Sequence, residues 1–407
     1  MFSFFRICLL SIVFCLFSTV CCFSQFATPL KLQDKTSADL KVGAQQTEKY
    51  FPLLKDKRIA VVAHPASMVK NTHLVDTLVR SGFKVKKIFA PEHGFRGDAE
   101  AGEKIKNNMD AKTGLPVISL YGKNFKPKPE ELKDVDVVLF DLQDVGARFY
   151  TYLSTLHYVM EACAENKKQL IILDRPNPNG YFVDGPVLEP KFKSFSGMHP
   201  VPIVYGMTIG EYARMINGEK WLANGVQCKL EVISVDGYTH NDLYQLPVKP
   251  SPNLPNMSSV YLYPTLCLFE GTIVSVGRGT DKPFQQFGYP ELKAGNDAFT
   301  PHPVNGASEN PMYNGQLCWG FDVSAFGEMY VKYYEKINLF WMLNLYKTSP
   351  LKEKFFNNYF NSLAGNETLQ KQIKEDKTEE EIRNSWEEGL TKFKQIRKKY
   401  IIYPDFE

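Results

Sequence analysis

The sequence predicts an α/β fold, a Rossmann-like doubly wound parallel sheet followed by a second, smaller α+β domain at the C-terminus. Three observations carry this. Short apolar runs alternate with segments of helical spacing from Lys57 to Val235, the order that builds parallel βαβ units. The runs are almost uninterrupted by polar residues, as strands covered on both faces require. Pro247 to Pro255 then holds four prolines, a stretch poorly suited to regular structure that marks the approach to the second part.

Lys57 to Ala63 reads as the first strand. Leu74, Leu78 and Val79 share one face of a helix over 71–80, which Ser81-Gly82 stops. Strands follow at Val85 to Ala90 and Pro116 to Leu120, a short helix at Pro129 to Lys133, a strand at Val135 to Phe140, a helix from Thr151 to Asn166 and a strand at Gln169 to Leu173. After a Pro- and Gly-bearing excursion from Tyr181 to Pro202, Thr208-Ile209-Gly210-Glu211 has capping-box spacing and opens a helix to about Ile216. Lys229 to Val235 reads as one more strand. The second part begins with the apolar run Tyr261 to Phe269, continues through Gly277-Arg278-Gly279-Thr280, and closes with a helix over 378–399. On that helix Ile382, Trp386, Leu390, Phe393 and Ile396 form a face suited to a core.

In parallel sheets of this kind ligands bind beyond the carboxyl ends of the strands. The residues that follow the apolar runs are His64; Glu92, His93 and Arg96; Tyr121; Asp141, Gln143, Asp144 and Arg148; and Asp174, Arg175, Asn177 and Asn179. Each alone reads as an ordinary loop-capping group. Together they predict a cleft lined by acids, imidazoles and guanidinium groups. Within it, Pro91 to Asp98 combines an acid, an imidazole, a cation and the two glycines Gly94 and Gly97, which can take backbone angles closed to other residues.

The 407 residues allow two domains, and 44% hydrophobic with 23% charged residues is an ordinary globular composition. Residues 1–24 resemble a secretory signal peptide, with Arg6 ahead of the apolar run Ile7 to Cys22. The expected division is therefore a signal peptide over 1–24, a lead-in over 25–56, a catalytic domain over 57–257 and a closing domain over 258–407. That places the chain in the periplasm or cell envelope, with no stable membrane span after cleavage. Cys21 and Cys22 also raise a lipid-anchored form. The remaining cysteines, Cys163, Cys228, Cys267 and Cys318, show no metal-ligand spacing. The net charge of +3 is spread along the chain without the basic stripe that nucleic acid would ask for.

Several chemistries lose their signatures. There is no Gly-x-Ser-x-Gly elbow, no His-Glu-x-x-His pair, and no glycine-rich dinucleotide turn after the first strand, where His64-Pro65-Ala66-Ser67 stands instead. Gly277-Arg278-Gly279 lacks the spacing and the Lys-Ser/Thr of a phosphate loop. A divalent cation held by Asp141, Asp144 and Asp174 stays open as a reading. Carboxylate chemistry without a cofactor fits best. Glycoside hydrolysis needs one protonated carboxyl for the leaving oxygen and a second group across the sugar ring. Glu92 is the natural acid, with Phe95 beside it in sequence as a source of desolvation and Arg96 as an opposing charge.

Pro-Glu-His-Gly-Phe-Arg-Gly at 91–97, Phe-Asp-Leu-Gln-Asp-Val-Gly-Ala-Arg-Phe-Tyr-Thr-Tyr at 140–152, Asp-Arg-Pro-Asn-Pro-Asn-Gly at 174–180, Pro-Ser-Pro-Asn at 250–253 and Cys-Leu-Phe-Glu-Gly-Thr at 267–272 resemble the NamZ family of bacterial exo-β-N-acetylmuramidases. The resemblance runs from about Lys57 to the end, with Ile273 a departure where many relatives carry Asn. It implies release of N-acetylmuramic acid from the non-reducing end of peptidoglycan fragments, with Glu92 as the leading catalytic residue. The lactyl carboxylate of that sugar would give Arg96, Arg148 or Arg278 a task. The expected catalytic groups are Glu92, Asp141 and Asp144, the two aspartates favoured over Glu270 as the second group. The expected sugar contacts are His64, His93, Arg96, Tyr121, Gln143, Arg148, Tyr150, Asp174, Asn177, Glu270 and Arg278, with no metal and no cofactor. A non-catalytic cell-wall sugar-binding protein and a metal-dependent hydrolase are the rival readings.

Overall fold

The computed structural model describes residues 32–96, 108–292, 294–330 and 334–407. The expected signal peptide, the first part of the lead-in and Gly97 lie outside them. Among the described residues seven strands form the central sheet: β1 (Arg58–Ala63), β2 (Lys84–Ala90), β3 (Asn108–Met109), β4 (Pro116–Ser119), β5 (Val137–Asp141), β6 (Gln169–Leu173) and β7 (Lys229–Ile233). Their order is β7-β6-β5-β1-β2-β4-β3. All neighbours are parallel except the short edge strand β3, which runs antiparallel to β4. The chain winds outward from β1 to one side through β2 and β4, and to the other through β5, β6 and β7. The switch point is thus beside β1, and a crevice opens beyond the carboxyl ends there.

The apolar runs form strands because both faces of the sheet are covered. Every residue of β5 is buried, as are five of the six in β1. Ile59, Val61 and Ala63 join one core with Tyr50 and Leu54 of α1 (Thr47–Leu54) and with Leu74 and Leu78 of α2 (Leu74–Arg80). Ala60 and Val62, pointing the other way, are equally buried. After α3 (Pro129–Leu132), helices α4 (Tyr152–Glu165) and α5 (Ile209–Gly218) pack on each other and on β6. Each fully buried Val, Leu or Ile of this kind contributes about 1.5–3 kcal/mol.

Of the boundaries that differ from the sequence reading, two have a visible local cause. Thr72–His73 pairs with Met68–Val69 in a hairpin, so α2 starts only at Leu74, where the His73 ring accepts the Val75 N–H at 3.3 Å. The helix expected over 378–399 is two, Glu379–Asn384 and Glu387–Arg397. Between them the N–H of Trp386 bonds the carbonyl of Arg383 at 2.9 Å, a tightened turn that breaks the run. Thr378 caps the first piece as its spacing predicts, and Ile382, Trp386 and Phe393 are buried.

Beyond the proline-rich stretch, α6 (Met257–Leu266) is capped by Asn256, whose side chain accepts the Ser259 N–H at 3.0 Å, and passes into a 3-10 turn over Cys267–Gly271. An antiparallel sheet follows, β8 (Gln286–Tyr289), β9 (Asp297–Phe299) and β10 (Cys318–Asp322), in the order β8-β10-β9. Gln33–Glu407 forms one compact unit. Among the described residues no helix is long and apolar enough to cross a membrane.

Candidate active site

The loop after β2 folds into a tight turn in which the Pro91 carbonyl accepts the Gly94 N–H at 3.1 Å. Its third residue, His93, has φ +70°, a left-handed angle that costs a residue with a side chain on the order of 1–3 kcal/mol. Tertiary contacts hold it there. His93 Nε2 lies 3.2 Å from Ser251 Oγ, and Ser251 belongs to the Pro-Ser-Pro-Asn segment, which turns back through the Leu254 N–H to the Ser251 carbonyl at 3.0 Å and whose Pro250 carbonyl accepts the Tyr150 hydroxyl at 2.8 Å. Burial lowers the His93 pKa, opposed by the Glu92 charge and helped by that of Arg278.

This turn places Glu92 in the wall of a cavity of about 620 Å³. Glu92 Oε2 accepts the Thr151 hydroxyl at 2.7 Å, and its backbone carbonyl accepts the Tyr152 hydroxyl at 3.3 Å. The Tyr121 phenol, after β4, lines the same cavity as Glu92; burial first, then the Glu92 charge, raises the phenol pKa. Phe125 and Phe195, whose ring centroids are 4.2 Å apart, stand beside Tyr121 as an apolar wall, and Tyr359 bonds Ser196 at 2.8 Å on the rim. The opposite wall comes from the C-terminal part. There Glu270, on the 3-10 turn, accepts the Arg278 Nε–H at 2.5 Å, and the Arg278 guanidinium lies 4.9 Å over the Phe284 ring.

Of the residues expected in the cleft, Glu92, His93, Tyr121, Tyr150, Glu270 and Arg278 line this cavity. The others do not, each for a visible reason. Asp141 is wholly buried in a two-pronged pair with Arg175, at 2.6 and 2.9 Å. Asp144 turns inward to the Tyr205 hydroxyl and the Gly146 N–H. The expectation that these aspartates act on the substrate is revised accordingly, and Glu270 is the carboxylate that shares the cavity with Glu92. Asp174 accepts from Thr208, the Gly210 N–H and Tyr403, anchoring the start of α5 and the chain end. Asn177 bonds the Met207 carbonyl, and Gln143 bonds the carbonyls of Asp144 and Pro176. His64 accepts the Gln143 N–H at 2.9 Å and stands behind Tyr152, 3.4 Å from its hydroxyl.

Two arginines are likewise withdrawn. Arg96 makes paired bonds to Asp110 at 2.7 and 2.8 Å and two to Asp76 at 2.9 and 3.5 Å, beside a separate cleft of about 370 Å³. Phe95 packs against its guanidinium and the His73 ring rather than against Glu92. Arg148 is buried and donates to four backbone carbonyls. Asp141, Asp144 and Asp174 have separate partners and do not converge. Among the described residues no group of three or more His, Cys, Asp or Glu is placed to hold a metal ion.

Strand-end reading missed Phe125 and Phe195, which arrive from loops. The pair Tyr121-Gly122 after β4 was the available signal for the first, since the turn it makes brings Phe125 back to Tyr121 at 6.3 Å.

The same chain matches two family profiles end to end. Residues 59–258 match the N-terminal part and residues 261–403 the C-terminal part of the exo-β-N-acetylmuramidase NamZ. The peptidoglycan β-N-acetylmuramidase NamZ of Bacillus subtilis (strain 168) is 40% identical over 379 residues, covering 87% of this chain and 89% of that protein. Two crystal structures of DUF1343 family proteins from Bacteroides fragilis superpose on it. One is 45% identical with a TM-score of 0.83, the other 28% identical with a TM-score of 0.75. Each alignment covers 90% of this chain and 99% of the other.

Proposed function

The chain belongs to the NamZ family and is a glycosidase, and we propose that it releases N-acetylmuramic acid from the non-reducing end of peptidoglycan fragments, with Glu92 as proton donor to the leaving oxygen. The observation that supports this most directly is the placement of Glu92. Its carboxylate enters the cavity from a strained turn and is held on one oxygen by Thr151, with Tyr121 in the same cavity wall. A proton donor must approach one oxygen of the scissile bond and no other, and fixed partners give that orientation.

The cavity favours a terminal sugar. Its volume of about 620 Å³ lies within the range of small-molecule sites, and it is walled by both parts of the chain. Phe125, Phe195 and Tyr121 offer apolar faces to a pyranose ring. Export to the cell envelope, where the polymer lies, is part of the same reading and rests on the apolar run Ile7 to Cys22.

The test is incubation of the purified chain with a muramic-acid-terminated disaccharide or a chromogenic β-N-acetylmuramide. Free sugar is expected from the wild type, and Glu92→Gln should lower kcat about 10²- to 10⁴-fold. Tight binding without release would make the protein a sugar-binding module instead.

A further inference from the structure

We propose that Arg278 is the residue that recognises the acid group of the substrate, and that Glu270 positions it. This rests on the muramidase reading and adds to it the group that separates muramic acid from N-acetylglucosamine. The two sugars differ by the 3-O-lactyl substituent, which ends in a carboxylate. A site that selects it needs a cation, fixed in direction, with donors turned to the cavity.

The Gly-Arg-Gly turn has that construction. Gly277 and Gly279 flank Arg278 at φ +74° and +83°. A Cβ on Gly277 would come within 2.8 Å of the Lys282 carbonyl, and one on Gly279 within 2.6 Å of the His302 carbonyl. Only glycine fits on either side, so the turn projects a single side chain. That side chain is then fixed twice. Its Nε–H is taken by Glu270 and its plane rests on Phe284, while the Nη1 and Nη2 groups have no bond to the protein among the described residues. The side chain keeps 30% of its surface exposed, and it lies in the cavity wall with Glu92 and His93. Two N–H groups on the edge of a guanidinium form the fork that pairs with a carboxylate. Glu270 leaves that edge free because it engages only Nε.

Arg96 and Arg148 cannot share the task, since neither lines the cavity and their terminal N–H groups are engaged by Asp76, Asp110 and backbone carbonyls. Charge also argues for selectivity. With Glu92 and Glu270 in the same cavity, an incoming carboxylate meets two acids, and a fixed cation is what makes its approach favourable.

The experiment compares a chromogenic β-N-acetylmuramide with its lactyl methyl ester, in the wild type, Arg278→Ala, Arg278→Lys and Glu270→Gln. Wild type should prefer the acid on the order of 10²- to 10³-fold in kcat/KM, the usual cost of removing one partner from a hydrogen-bonded charge pair. In Arg278→Ala the ratio should fall to within a few-fold of one. Arg278→Lys should keep part of it, and Glu270→Gln should lower it while keeping its sign. A wild type indifferent to esterification, or an Arg278→Ala variant that keeps the preference, overturns the proposal. Calorimetric binding of N-acetylmuramic acid and its methyl ester to the intact protein gives the same ratio without turnover. A protein that binds the acid selectively but releases no sugar therefore overturns the hydrolase reading and upholds the clamp.

Discussion

At Asp144 the carboxyl is 5% exposed. One oxygen accepts from Tyr205 and Gly146, and the other has no hydrogen-bond partner among the described residues. Burial pushes its pKa up to about 7, from an ordinary value near 3.8. A strand-end rule cannot distinguish such a group from Glu92, because it reports which residue leaves the sheet and not where its side chain turns. Asp141 and Asp174 were misread in the same way, each consumed by a buried partner that lies far off in sequence, Arg175 and Tyr403. Glu92, His93 and Tyr121 were legible because turn chemistry and strand position agreed. The raised pKa has a testable sign. The folded state holds the Asp144 proton more tightly than the unfolded chain, so its contribution is present below about pH 4 and is lost as the pH rises to about 7. At 1.36 kcal/mol per unit this is on the order of 4 kcal/mol. Asp144→Asn removes that term. The stability of the variant relative to wild type, from denaturant unfolding, should therefore improve from about pH 4 to about pH 7 and level off above that. A difference that stays flat across this range would assign the burial penalty elsewhere.

Elements carry the site through their ends. β2 ends in the turn that aims Glu92, α4 begins beside Thr151, and the 3-10 turn after α6 supplies Glu270. The doubly wound sheet was legible from the alternation of runs, because a strand covered on both faces writes a continuous apolar segment. The division of the terminal helix at Ser385 and Trp386 was not, since the 3.6-residue face continues across the break and only the hydrogen bonding changes. The Gly-Arg-Gly turn fails as a phosphate loop because it lacks the Lys-Ser/Thr and the glycine interval of one. Its two glycines bring the chain close to the Lys282 and His302 carbonyls. Gly277→Ala should cost about 1–3 kcal/mol through the left-handed angle, with a further penalty from the 2.8 Å approach to Lys282. Gly306→Ala is the control, since Gly306 has φ +75° with no atom within 4 Å of an added Cβ. A melting-temperature loss for Gly277→Ala no larger than for Gly306→Ala would mean that close packing plays no part in shaping the turn.

At the scale of the whole molecule, the cavity exists because the C-terminal part is tied back to the sheet. Arg383 pairs with Asp184 at 2.9 Å, Tyr403 reaches Asp174, and the buried Glu211 accepts from the backbone N–H groups of Ile402 and Tyr403. Arg148 is the strongest of these ties. From the loop after β5 it bonds the Pro186 and Val201 carbonyls on one side, and those of Leu363 and Ala364, at the end of the helix Phe360–Ala364, on the other. Gly365 follows at φ +81°, where a Cβ would lie 2.6 Å from the guanidinium. A methionine of similar length would fill the space but leave the buried Pro186, Leu363 and Ala364 carbonyls without these donors, while the Val201 carbonyl keeps the Leu188 N–H at 3.1 Å. Arg148→Met should therefore cost about 3–5 kcal/mol, at on the order of 1–3 kcal/mol for each buried carbonyl left without a donor. Because Leu363 also lines the cavity, the same change should lower kcat/KM on a β-N-acetylmuramide at temperatures well below the melting point. A variant that melts early yet turns over substrate normally when folded would show that the tie holds the two parts together without shaping the site between them.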